Sequence, residues 1–266
     1  DKKNYLYVDG EDIFIQETLS SQSIEKLKSF VANNDLIVID EAQKIPNIGT
    51  NLKLMVDHFP GLNIIATGSS SFDLAQKIGE PLTGRKITLR LYPLAQLELA
   101  EEETITQTQA RLEERLIYGS YPEIITMHDN KDRKDYLMEL VNSYLYKDLL
   151  SLDGLKHASK IKKILQLLAL QIGKEVSISE LATTVELSKN TVQRYIDLLE
   201  KAFVLMPLRG LSRNLRKEVS KMPKYYFYDV GVRNALINQF NPLSVRQDIG
   251  DLWENYLIIE RIKKLS

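Results

Sequence analysis

The 266 residues carry 35 Lys and Arg against 36 Asp and Glu, a formal net charge of −1, with 44% hydrophobic and 27% charged residues. That balance is typical of globular chains with length for about two domains; it excludes a uniformly basic nucleic-acid binder, and no run of roughly eighteen apolar residues offers a membrane span. Cysteine is absent and the three histidines, His58, His128 and His157, lie far apart, which excludes disulfides and thiolate metal sites, argues against a His-based one, and fits a reducing, cytoplasmic setting.

In chain order, Asn4 to Val8 reads as a short strand and Asp9-Gly10-Glu11-Asp12 as a turn. Ser23 is placed to cap a helix with Ile24, Leu27, Phe30 and Val31 at helical spacing, ended by Asn33-Asn34. Leu36 to Gln43, Leu-Ile-Val-Ile-Asp-Glu-Ala-Gln, is the most informative stretch. Four apolar residues followed by two carboxylates predict a strand buried on both faces that delivers Asp40 and Glu41 to the edge of a parallel sheet. That is a Walker B pattern: the first carboxylate holds Mg²⁺ through its water shell and the second orients or deprotonates the attacking water. Taken alone, the stretch also fits a core strand followed by a solvated acidic turn.

Ile48 to Phe59 has the spacing of an amphipathic helix, and Leu62 to Ala66 that of a second buried strand. The strand runs into Thr67-Gly68-Ser69-Ser70-Ser71, where an α/β sheet puts ligand-contacting groups; Ser69 or Ser70 would be a sensor, and Ser70 or Ser71 equally suits an N-cap for a helix at Phe72 to Ile78. The loop Gly79 to Arg85 precedes a predicted strand at Lys86 to Leu91 and presents Arg85, either as an arginine finger toward a γ-phosphate or as a surface residue. Strands alternating with helices to this point predict a doubly wound parallel sheet.

Leu94 to Glu103, Gln109 to Tyr118 and Arg133 to Leu150 read as helices separated by Gly119-Ser120-Tyr121-Pro122 and His128-Asp129-Asn130, a connector or lid. Charge is unevenly spread: Arg90 to Leu155 holds 7 Lys and Arg against 13 Asp and Glu, net −6, whereas Lys156 to Lys224 holds 14 against 6, net +8. The second stretch favours a polyanionic partner. Within it, an apolar helix at Ile161 to Ile172 is followed by Ser177 to Ser188 and Lys189 to Lys201, which read as helix, turn, helix, with Phe203 to Leu208 and Lys224 to Tyr228 as strands of a wing around the loop Arg209 to Lys221. Lys189, Asn190, Gln193 and Arg194 face outward on the second helix and are residue types that contact phosphates and base edges in DNA. A winged helix also serves as a protein-docking or dimerisation module. The chain closes on Asp229-Val-Gly-Val and a final helix from Asp248 whose Trp253, Leu257 and Ile258 are expected to bury against a sheet.

With these residues in view, the chain resembles the prokaryotic AAA+-type P-loop ATPases that carry a winged-helix region and a C-terminal nuclease-like domain of unknown function. The resemblance rests on residues 36–44, Ala-Thr-Gly-Ser-Ser-Ser at 66–71, Leu-Thr-Gly-Arg at 82–85, Leu-Tyr-Pro-Leu at 91–94, Gly-Ser-Tyr-Pro-Glu at 119–123 and Pro-Lys-Tyr-Tyr-Phe-Tyr-Asp-Val-Gly at 223–231. It implies an α/β fold with a partial P-loop sheet at 1–92, a helical connector at 93–155, a winged helix at 156–228 and the start of a nuclease-like α/β domain at 229–266. It further implies ATP and Mg²⁺ as cofactors, Asp40 on the metal, Glu41 as catalytic base, Ser69 or Ser70 as sensor and Arg85 as arginine finger. Glu254 matches the first carboxylate of a PD-(D/E)xK nuclease. Implied partners are ATP, DNA, and a protein partner or second copy, without a membrane.

The family's phosphate-binding loop, G-x-x-x-x-G-K-[ST], occurs nowhere in the 266 residues, so useful ATP affinity is expected only in a longer polypeptide of which this is an internal portion. In the family's sheet, the strand before that loop lies between those at Leu62 to Ala66 and Lys86 to Leu91. A slot of strand width is therefore expected there. The competing function is a DNA-binding or protein-docking winged helix whose α/β part is only structural.

Overall fold

The computed structural model describes residues 4–68, 82, 84–145, 158–210 and 222–265, in two compact units, Asp1–Leu89 and Arg90–Ser266. In the first unit, β1 (Tyr5–Asp9), β2 (Leu36–Asp40) and β3 (Asn63–Ala66) form a parallel sheet in the order β1-β2-β3. Its register sets Tyr5 beside Leu36, Asp9 beside Asp40 and Ile39 beside Ala66. Three helices connect the strands: α1 (Ile13–Leu19), α2 (Ile24–Val31) and α3 (Ile48–His58). Asp12 accepts from the Phe14 and Ile15 amides at the start of α1, and Ser23 caps α2 as its sequence position predicts. Buried Asn51 on α3 accepts from the Gln22 amide at 2.9 Å and so fixes the α1–α2 turn.

Strand residues of one parity, Leu6, Val8, Ile37, Ile39, Ile64 and Ala66, pack with Leu19, Leu27, Val31, Leu52 and Met55 of the helices. Fully buried Ile37 and Ile39 each contribute about 1.5–3 kcal/mol. The opposite parity is left more open: Leu36 and Val38 are half-buried and Tyr5, Tyr7 and Ile65 exposed. The expectation that β2 is buried on both faces is thereby corrected, because α1, α2 and α3 all pack on the same face.

The strand expected at Lys86 to Leu91 is also corrected. These residues form no regular structure, and Ile87, Leu89 and Leu91 are 89%, 88% and 102% exposed. Their alternation fits a strand, but a ladder needs a neighbour. Beyond β3, between α3 and residues 84–89, lies a cavity of about 620 Å³ where that neighbour would sit. The helix expected at Phe72 to Ile78 lies outside the described residues.

In the second unit, α4 (Gln96–Glu102) and α5 (Ile105–Tyr118) lead to α6 (Pro122–Thr126) and α7 (Asn130–Glu139), which continues as a π-helical turn at Leu140–Leu145. The expected helix start at Gln109 moves to Ile105, since Thr104 and Gln107 form a reciprocal capping box. The expected Arg133 helix starts at Asn130 because the Asp129 carboxylate accepts from the Lys131 and Asp132 amides; its predicted end, 146–150, lies outside the described residues. After α8 (Ala158–Leu170) come α9 (Ile178–Val185) and α10 (Lys189–Lys201), each capped by a serine, Ser177 and Ser188. β4 (Leu205–Leu208) and β5 (Lys224–Phe227) pair antiparallel, with Leu205 beside Phe227, and Glu175 bridges to Lys224. Most of the expected wing loop, 211–221, lies outside the described residues.

α11 (Val230–Leu236) and α12 (Ile249–Leu265) complete the unit. Asn255 on α12 exchanges two hydrogen bonds with the Phe227 backbone at 2.8 and 2.9 Å. That contact sets the helix's rotation, so Leu252, Tyr256 and Ile259 are buried while Leu257 is 58% exposed, correcting the expected burial of Leu257. α5 and α11 meet through Asp229, whose carboxylate accepts from the Ser120 amide at 2.8 Å and from the Gly231 and Val232 amides at 2.8 and 3.2 Å. Asn234 on α11 donates to the terminal α5 carbonyls of Leu116 and Ile117.

Gly119, the residue that ends α5, has φ +78°, and a Cβ there would lie 2.0 Å from an Asp229 carboxylate oxygen. Gly119→Ala is expected to destabilise the protein by about 3 kcal/mol or more, combining left-handed strain with displacement of the carboxylate. Urea unfolding measures it; a loss under about 1 kcal/mol would show that the Asp229 contact yields cheaply.

Candidate functional site

The carboxyl ends of the three parallel strands gather a small polar cluster. Asp9 and Asp40 are register partners on neighbouring strands, and the Asp9 carboxylate accepts from the Glu11 amide at 2.8 Å. Asp40 accepts from the Tyr7 hydroxyl at 2.7 Å through one oxygen. Its other oxygen accepts from the Thr67 hydroxyl and from the Glu41 amide. The Thr67 bond first, then the Tyr7 bond, hold the Asp40 carboxyl below its usual range, against the small opposing effect of burial. Asp40 is therefore a fixed anion with hard oxygen neighbours, the donor type that suits Mg²⁺. Among the described residues no group of three or more His, Cys, Asp or Glu could hold a metal ion.

Glu41 follows directly but sits in a different setting. It adopts a left-handed backbone, φ 48°, opening the short 3₁₀ turn Ala42–Lys44. Burial pushes its carboxyl pKa up, helped by the Asp40 and Glu11 charges and opposed by the Gln43 side-chain amide at 2.6 Å and the Lys44 charge. Gly10 makes this turn fit: its amide donates to the Asp40 carbonyl at 2.8 Å, and a Cβ on it would lie 2.5 Å from the Glu41 carbonyl oxygen. Adjacent carboxylates thus shift in opposite directions.

Of the other residues singled out by sequence, Arg85 ion-pairs with Asp57 of α3 and lines the cavity beyond β3; it is not brought to the Asp40 cluster. Ser69 and Ser70 lie outside the described residues. Lys189, Asn190, Gln193 and Arg194 are all exposed on the first two turns of α10, where Gln193 donates to Asp197 at 2.8 Å and Arg194 stacks on the Tyr195 ring. Glu254 accepts from the Tyr226 hydroxyl at 2.5 Å and from the Lys224 ammonium at 3.2 Å, and the Tyr226 bond leads in holding its carboxyl below the usual range. Its Oε1 takes both bonds and so braces α12 against β5.

The sequence singles out Thr67 only as part of the polar cluster at 67–71 and gives Tyr7 no role beyond its strand. Thr67 was legible as the residue after β3, since parallel register carries Ile39–Ala66 on to Asp40–Thr67. Tyr7 reaches Asp40 from two positions back along β1, a contact that needs both the register and the uncovered face.

Comparison with known proteins bears on both units. Residues 1–100 match the model of an AAA domain, and residues 109–243 match that of a domain of unknown function, DUF8612. An uncharacterized protein of Mycobacterium tuberculosis is 29% identical over 84% of this chain and 49% of its own length. Uncharacterized proteins of Haemophilus influenzae and Methanocaldococcus jannaschii are each 24% identical, over 98% and 97% of this chain and 67% and 60% of their own lengths. The chain therefore spans about half to two thirds of the curated relatives it matches. AAA domains generally bind ATP with Mg²⁺. No helix among the described residues is long and apolar enough to cross a membrane.

Thr67 has the largest part in keeping Asp40 ionised. Thr67→Val is expected to raise the Asp40 pKa toward its ordinary 3.8, and Tyr7→Phe to raise it by less. Carboxyl carbon-13 NMR titration reads this directly, and an Asp40 midpoint unmoved in both variants would rule out the hydroxyl pair as its anchor.

Proposed function

The chain belongs to the family of the domain of unknown function DUF8612, and on that premise we propose that it is part of an ATP-hydrolysing switch whose AAA-type unit is coupled to a winged helix. The observation that carries this reading is the meeting of Asp40, Glu41 and Thr67 at the carboxyl ends of β2 and β3, where ligands bind in open parallel sheets. The donor set fits Mg²⁺ at Asp40. Bound ATP would supply the phosphoryl group that water attacks and the phosphate oxygens that complete the metal's shell.

The chain's own residues then divide the work. Asp40, fixed in place by hydrogen bonds from Thr67 and Tyr7, would hold the metal's water shell. Glu41, with a raised proton affinity, takes the proton of the attacking water. Thr67 fixes the Asp40 carboxylate, and Ser69 or Ser70 is the sensor of the reaction state. Arg85, paired with Asp57 away from the Asp40 cluster, would have to leave that pairing to serve as an arginine finger. A G-x-x-x-x-G-K-[ST] loop, which would grip the phosphates, does not occur among these 266 residues, so the turnover we propose is that of a protein carrying such a loop.

A second reading is favoured by α10: its exposed Lys189, Asn190, Gln193 and Arg194, within a stretch of 14 Lys and Arg against 6 Asp and Glu, suit DNA phosphates and base edges. On this reading the nucleotide state would govern DNA engagement. Docking of a protein on the same helix is the competing outcome.

In the full-length polypeptide, Glu41→Gln is expected to cut ATP turnover by roughly 10²–10⁴-fold while leaving nucleotide binding intact. Because Glu41 works as a base, the wild-type rate should climb with pH through a midpoint above the ordinary glutamate 4.5. Turnover that survives the substitution would remove Glu41 from the chemistry. For the second reading, the Lys189→Ala, Arg194→Ala double variant should weaken DNA binding about tenfold or more and flatten the log K against log salt slope by roughly two. An unchanged slope would assign α10 to protein docking.

A further inference from the structure

In the second unit, the C-terminal half of α5, the helix α6 and the start of α7 enclose a cavity of about 200 Å³. Its lining includes three guanidinium groups, Arg111, Arg115 and Arg133, against two carboxylates, Glu103 and Glu114. The charge of these groups sums to one positive unit. Arg115 and Arg133 are only 2% and 7% exposed, so two of the three cations are held out of water.

Arg133 lies over the Tyr118 ring, 5.7 Å from its centroid. Arg115 donates through Nη2 to both Glu103 oxygens, at 2.5 and 2.6 Å, and through Nη1 to Gln96. Arg111 shares Glu103 at 2.8 Å. Despite burial, these arginines hold the Glu103 carboxyl below its usual range. Arg133 donates to Asn130 and the Met127 carbonyl and pairs at 3.1 Å with Glu114, a carboxylate 47% exposed. The Asp129 carboxylate caps α7. The Nε atoms of both Arg115 and Arg133 are buried with no hydrogen-bond partner.

A buried cation whose N–H lacks an acceptor is a site built for one. We propose that this cavity binds a small oxyanion, a carboxylate or a phosphate group on a short organic body. Its oxygens would complete the bonding of the Arg115 and Arg133 guanidinium groups and balance the surplus charge. The rest of the lining selects the body: Tyr118, Ile124, Ile125 and Met127 offer apolar and aromatic surface that a bare hydrated halide cannot use. The planar guanidinium fork suits both oxyanion types. The site shares no residue with the Asp40 cluster and does not rest on the ATP reading.

The test uses the whole chain with orthophosphate and with acetate as probes, and sodium chloride at matched ionic strength as reference, followed by thermal unfolding and calorimetric titration. Millimolar phosphate or acetate should raise the Tm where chloride does not, and the better probe assigns the site to phosphate esters or to carboxylates. Arg111 and Glu114 have side chains 52% and 47% exposed, so their glutamine variants should fold. Arg111→Gln should weaken binding about tenfold, and Glu114→Gln, which adds a positive unit to the balance, should tighten it about threefold. Equal effects of all three salts, or affinities that neither variant moves, would overturn the proposal.

Discussion

The second unit depends on one buried carboxylate. Asp229 lies 109 residues beyond Ser120 in sequence, yet accepts its amide together with those of Gly231 and Val232. Burial pushes the carboxyl pKa up; the three amides and the Lys263 charge push it down. Burial prevails and leaves the carboxyl pKa raised, so the contact rests on the convergence of three backbone amides on its two oxygens. Asn234 completes it by capping the α5 carbonyls that the helix leaves without partners. Removing either side would strand several buried polar groups at once. Both Asp229 and Ser120 are buried at this junction.

The same segment carries a second network of this kind. Arg233 and Arg246, both buried, converge on Asp248. The Arg246 hydrogen bond leads in holding the Asp248 carboxyl well below its usual range, with Arg233 adding to it against burial. A carboxyl depressed on folding stabilises the native state above its unfolded value near 3.9, and that support fades as pH falls toward the folded value. The first unit contrasts with this. Its sheet is packed on one face, and its polar cluster stands at the open edge, placed by strand register and by hydroxyl bonds to Asp40.

Local signals were readable wherever the chain decides its own conformation. Ser23, Ser177 and Ser188 each start the helix their position predicts, and the apolar run before Asp40 gives β2 its place. Thr104 with Gln107 was equally readable and moves the α5 start by a turn. What the sequence hides is whatever needs a partner from elsewhere. The alternation at residues 86–91 is a strand pattern without a neighbour to pair with. Gly-Ser-Tyr-Pro-Glu at 119–123 and Tyr-Asp-Val-Gly at 228–231 stand out separately in the sequence, but nothing local says that Asp229 closes on Ser120. The buried arginines were hidden for the same reason, because on a helix an arginine reads as solvated until its tertiary neighbours are known.

Asp40 and Glu41 best show how geometry divides chemistry between like residues. Two neighbouring carboxylates in similar surroundings would titrate together and repel. Here the strand ends at Asp40, and Glu41 turns into a left-handed conformation that costs a non-glycine residue about 1–2 kcal/mol. The turn sends the two side chains to different environments: Asp40 to hydroxyl donors that favour its anion, Glu41 to a less hydrated position that favours its proton. Gly10 permits it, since a side chain there would strike the Glu41 carbonyl. Opposite shifts on adjacent groups leave one carboxyl favouring its anion and the other favouring its proton. The left-handed turn at Glu41 thus accompanies a difference that burial at Glu41 and hydroxyl bonds at Asp40 produce, and the Gly10 turn after β1 leaves room for it.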